Sequence, residues 1–173
     1  MRKFVLLMLV LFSFASCALA ADVEKMLEDR MVTLYPEGQL LGNMVIGARG
    51  KMEFIYVDRA LANAIREDMS VPEWLSWHSR HWGTDVAKGK ALFVIRYEAY
   101  KPWNFSTADI AIGGRALEKG DILTNKAYII DGDITSGTIA TLAIAVPADL
   151  ASPGNKTVIS YMEGSAEWTV PKK

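Results

Sequence analysis

The chain contains two histidines, His78 and His81, which lie three residues apart with Asp85 four residues further on. On a helix that spacing would set two imidazoles and a carboxylate on one side. Such a set suits Zn²⁺ or Cu²⁺, with water completing the coordination. Two features weigh against a metal: Pro72 and Gly83 limit the length of any helix here, and no further imidazole exists to strengthen the site. The expected reading is therefore a surface histidine pair, with His78, His81 and Asp85 kept as the candidate metal ligands and no cofactor expected.

The same stretch, WLSWHSRHWG, holds Trp74, Trp77 and Trp82, three of the chain's five tryptophans. Buried, each indole would remove about 150–250 Å² from water and help close one end of a domain without disulfides. Exposed, the rings would form a platform for a peptide or a sugar, with Arg80, His78 and Glu73 supplying polar contacts. Packing is the commoner fate of clustered aromatics. The ligand-binding candidates are Trp74, Trp77, Trp82, Arg80 and Trp103, the last at a strand end.

Catalytic constellations find little in this chain. It has no Gly-x-Ser-x-Gly elbow and no Ser, His and acid set in a recognisable context. A carboxylate pair for glycoside cleavage would begin with Glu98, whose ordinary fate is a solvated or ion-paired surface position. Gly113-Gly114-Arg115 lacks the Lys-Ser/Thr of a phosphate loop and reads as a hairpin turn. Asp131-Gly132-Asp133 lacks the bidentate glutamate that ends a calcium loop.

The elements that must position these residues are mostly strands. Met52 to Asp58 alternates Met52, Phe54 and Tyr56 on one face with Ile55 and Val57 on the other. Lys90 to Tyr100 alternates Phe93, Ile95, Tyr97 and Ala99 with Leu92, Val94, Arg96 and Glu98. Asn43 to Ala48, Asp109 to Gly113, Lys126 to Asp131, Gly137 to Val146, Lys156 to Met162 and Glu167 to Val170 complete the set, separated by Gly, Asp, Asn and Pro turns. Asp22 to Tyr35 carries apolar residues at helical spacing behind an acidic start and predicts a short amphipathic helix. Arg59 to Asp68 suits either a helix turn or a strand, and residues 67–89 read as a long connection. Strands without interleaved helices predict an all-β fold, an antiparallel immunoglobulin-like β-sandwich with a short N-terminal helix. A closed barrel is the alternative.

The order GKMEFIYVDRALANAI, a long loop, GKALFVIRYEAYKPWNFSTADIAIGG and then IDGDITSGTIATLAIAVPADL resembles bacterial exported telokin-like, immunoglobulin-like domains. The resemblance spans Gly50 to Tyr161. It implies a sandwich fold and an envelope location, and it brings no catalytic residues. The Lys101-Pro102-Trp103 run and the tryptophan-rich loop depart from that pattern.

The first twenty residues supply the address. Arg2 and Lys3, the apolar run Phe4 to Phe14 and then Ala18-Leu19-Ala20 form a secretory signal with a small-residue cleavage site. Cleavage before Ala21 removes 20 of the 173 residues and leaves 153. The expected domains are a signal peptide over 1–20, a helix and linker over 21–41, and the sandwich over 42–173. Ser16-Cys17 also resembles a lipobox, so membrane attachment is expected only if Cys17 is lipidated. Without that cysteine the chain has none, which excludes disulfides and zinc thiolates. Losing Arg2 and Lys3 leaves 17 basic against 20 acidic residues, interspersed, with no footprint for nucleic acid. The expectation is an exported, periplasmic or extracellular, non-enzymatic binding or accessory module. Its partner is a protein or a glycan, and its interaction surface is the 67–89 stretch. A metal-dependent or glycan-active envelope enzyme is the alternative.

Overall fold

The structure, a computed structural model, describes residues 23–172. The signal segment, its cleavage site and Cys17 lie outside the described residues. At the centre run β4 (Gly50–Val57) and β5 (Lys90–Ala99), paired antiparallel with Phe54 opposite Ile95 and Ile55 opposite Val94. They are flanked by β1 (Met31–Leu34) and β10 (Ile139–Pro147), giving the sheet order β1-β4-β5-β10. A second sheet has the order β12-β11-β7-β8, from β7 (Ile110–Ile112), β8 (Arg115–Ala116), β11 (Lys156–Tyr161) and β12 (Gly164–Thr169). Every ladder among the described residues is antiparallel. The fold is thus β-rich and antiparallel, as the period-two stretches lead one to expect.

Alternation decides what each face of the first sheet buries. Phe54, Tyr56, Phe93, Ile95 and Tyr97 enter one core, shared with Ile110, Ile112, Ile159 and Tyr161 of the second sheet. Ile55, Val57, Leu92 and Val94 point the other way into a second core with Leu61, Ala62, Ile65 and Leu75. Those last four belong to α2 (Arg59–Glu67) and α3 (Glu73–Ser79). The helices correct the expectation of uninterrupted strands. A sheet that is apolar on both faces needs a cover on each, and the second face was readable in Ile55, Val57, Leu92 and Val94.

Local chemistry explains why α2 forms. Asp58 ends β4 in extended backbone and accepts a hydrogen bond from the Leu61 backbone N–H at 2.9 Å, an N-cap. The same carboxylate accepts from Nε and a terminal nitrogen of Arg30 at 3.1 and 2.9 Å. Both side chains are buried, so one ion pair fastens the end of α1, the N-terminal helix over residues 23–30, to the start of α2. That helix stops at Arg30, short of the expected Tyr35. Met31–Leu34 instead alternates buried Val32 and Leu34 as an edge strand on β4. Met31–Leu34 is thus part of the main sheet.

Other expectations shift in smaller ways. Gln39–Leu41 (β2) and Met44–Ile46 (β3) form a hairpin whose turn holds Gly42 at φ 61°, a conformation suited to glycine. Lys126–Tyr128 is a 3₁₀ turn where a strand was expected, capped by the Asn125 side chain on the Ala127 N–H. Trp103–Phe105 (β6) pairs with Gly132–Ile134 (β9) as a separate two-stranded ribbon. Gly50 is required at its position. A β-carbon there would collide with the Glu98 carbonyl oxygen and lie 3.1 Å from the Trp103 ring.

Helices roof only part of the outer face of the main sheet. The remainder carries charge: Glu53 binds both Lys51 and Arg96, and Arg96 lies 3.9 Å from Glu98. Glu98 therefore has the ion-paired surface role expected of a strand carboxylate.

Candidate functional site

The stretch WLSWHSRHWG folds as most of α3 and the turns after it. Glu73 places a carboxylate in the first helical turn, where the helix dipole favours it. Leu75 and His78, three apart, face the sheet and are buried. Beyond Arg80 the chain turns through Trp82, whose N–H donates to the Ser79 carbonyl, and Gly83 at φ 80° ends the helical path. The helix is short because Pro72 and Gly83 bound it, as their positions required.

The three tryptophans divide between the two expected fates. Trp74 and Trp82 are half-buried and pack on the helix-side core. Trp77 is 54% exposed, with the Arg80 guanidinium carbon 3.2 Å from its ring centroid. That contact is a cation–π stack, and it holds a flat, amphipathic surface open to solvent. Trp103 is not part of this surface. Its ring is buried in the inter-sheet core, edge-on to Phe105 and Tyr161 at 5.4 and 5.3 Å.

Beside Trp77 lies a groove of about 720 Å³. One wall is α3 and its following turn, through Trp74, Trp77, His78, Arg80 and His81. The opposite wall is Leu123, Thr124, Asn125, Tyr128 and Ile130, and the floor is the start of β10, residues Ile139 to Thr141. Tyr128, Ile130 and Ile139 are exposed there. The volume falls in the range of small-molecule and peptide clefts, and the lining mixes aromatic surface with a few polar groups, as binding clefts do. None of the far wall or floor was singled out by sequence reasoning. The available signal was weak: Tyr128 and Ile139 are large apolar residues next to turn chemistry.

His78 joins wall to floor. Its Nε2 is 3.0 Å from Thr141 Oγ1, and its Nδ1 is buried without a hydrogen-bond partner. Burial pushes the imidazole down to about 4, and the neighbouring His81 and Arg80 add to the shift. Burial also lowers His81, with Arg80 contributing. Both rings are therefore neutral near pH 7.

The metal candidates do not converge. Among the described residues no three of His, Cys, Asp or Glu gather as a ligand set. His78 spends Nε2 on Thr141, and Asp85 is exposed in the turn after the helix. The Asp131 and Asp133 carboxylates serve the fold instead, accepting from the Thr107 N–H at 3.1 Å and from Asn104 Nδ2 at 2.7 Å.

Compared with protein-family models, curated proteins and solved structures, the chain matches none.

Proposed function

We propose that this chain is an exported binding module, an immunoglobulin-like β-sandwich roofed by short helices, whose ligand lies in the groove between α3 and β10. The sandwich reading is supported by two antiparallel sheets sharing one core. The export reading is supported by the composition of the first twenty residues.

One observation carries the binding role: the half-exposed Trp77 ring, stacked by Arg80, stands at the wall of the groove. Trp, Tyr and Arg are the residue types that dominate binding energy at interfaces, and here Trp77, Tyr128 and Arg80 line one cleft. An exposed indole held rigidly at a cleft wall costs little entropy when a ligand covers it. The test is a fluorescence titration of the purified protein against two probe sets, random-sequence peptides and soluble oligosaccharides. Saturable quenching that disappears in Trp77→Ala supports the reading. Absence of binding by either set, or binding indifferent to that substitution, rejects it.

A further inference from the structure

The ligand class follows from the hydrogen-bonding state of the groove floor. In β10, the Ala143 carbonyl accepts from the Leu123 N–H at 2.8 Å, and its N–H donates to Thr124 Oγ1 at 2.8 Å. Ala143 thus turns its backbone groups away from β5. Strand geometry repeats every second residue, so Thr141 and Ile139 turn theirs to the same outer edge. The register agrees: the Ala99 N–H donates to the Thr138 carbonyl, which places the even-numbered residues on the β5 side.

The segment around Ile122 and Leu123 covers this edge only at Ala143 and Ile144. Residues 139–141 have no strand beside them among the described residues. Two N–H and two C=O groups of Ile139 and Thr141 are therefore open at the floor of the groove. Ala140, between them, turns its backbone groups to β5 and its side chain into the inter-sheet core.

An open strand edge beside a helix is suited to accepting another strand. A sugar would meet the indole, and its hydroxyls could bond single edge groups, but they do not repeat at the spacing of a strand edge. An extended peptide satisfies it in register, and its alternate side chains would fall against Trp77 and α3. Charge adds one requirement. Arg80 has no carboxylate within ion-pair distance among the described residues, although Glu73 lines the same groove. Its guanidinium stays on the indole face with its donors available.

Building on the binding role above, we infer that the groove takes an extended segment of another protein, added as a strand to β10 at Ile139–Thr141. That segment carries aliphatic or aromatic side chains at alternate positions and a carboxylate, from a side chain or a chain terminus, opposite Arg80. Main-chain bonds to the edge hold it, and the Trp77 and Tyr128 side chains select what it presents.

The experiment selects a phage-displayed library of random decapeptides with free C-termini on the purified protein. A synthetic copy of the selected sequence is then followed by amide hydrogen exchange. Selected sequences should alternate apolar residues and carry a carboxylate. The peptide should slow exchange at the Ile139 and Thr141 amides, and Arg80→Gln should weaken binding at least roughly tenfold. N-methylation of the peptide at the edge-facing positions should abolish binding, while methylation one residue along should not.

Peptides that need Trp77 yet leave both amides exchanging freely would overturn strand addition and leave the binding role standing. Oligosaccharides that bind through Trp77 when the library yields nothing would do the same. Failure of both probe sets removes the inference and the binding role together.

Discussion

His78 and Thr141, 63 residues apart in sequence, meet through Nε2 and Oγ1 at 3.0 Å, and this hydrogen bond ties the lone helix of the Trp-rich motif to the edge strand of the main sheet. It fixes the width of the groove, because one partner stands in its wall and the other in its floor. Replacing Thr141 with valine keeps the shape and removes the hydroxyl. His78 would then be buried with neither ring nitrogen bonded, at a cost of about 1–3 kcal/mol. Chemical denaturation should show that loss, whereas Thr141→Ser should recover most of it. Equal stability of the valine variant would mean the bond holds nothing in place.

Acid should find the same histidine. The folded protein holds His78 near 4, below its ordinary value of 6.5. Between those values the unfolded chain binds a proton that the folded one resists, so stability falls as pH drops from about 6.5 to about 4. Below that range this residue contributes no further slope. Measured midpoints across the window should decline less steeply in His78→Gln than in the parent. Identical slopes would show that His78 is protonated freely in the fold.

Much of the scaffold was legible in the sequence, and the pattern of misses has a physical cause. Met52 to Asp58 and Lys90 to Tyr100 announced the central strands and the facing of nearly every side chain, because period-two alternation is local. The sequence leaves α2 open between helix and strand and hides α3 in the 67–89 connection, because nine and seven residues give barely two turns of periodicity. Their need was nonetheless written in the second apolar face of those strands. The sequence marks the Trp-His motif as the place to look, and the fold leaves its Trp77 exposed. Its partners Thr141, Tyr128 and Ile139 could not be read, since only the return of β10 beside β5 brings them near.

The Arg30–Asp58 pair was equally invisible, its members 28 residues apart. Asp58 both caps α2 and neutralises a buried guanidinium. Asp58→Ala removes both roles and leaves a buried charge unpaired, which costs about 3–5 kcal/mol. Asp58→Asn retains the cap and should fall between the two. A thermal or denaturant midpoint for Asp58→Ala within error of the parent would show that Arg30 reaches water without cost.

Trp77 is 54% exposed at the wall of the groove, where a bound ligand would cover it. Trp77→Ala removes an exposed ring and no core contact, so the unfolding midpoint should move little, within about 0.5 kcal/mol of stability. Binding of the selected peptide, measured by calorimetry on the parent and on this variant, should weaken by at least roughly tenfold. Unchanged affinity in a folded Trp77→Ala protein would contradict the claim that the groove beside α3 is where this protein meets its partner.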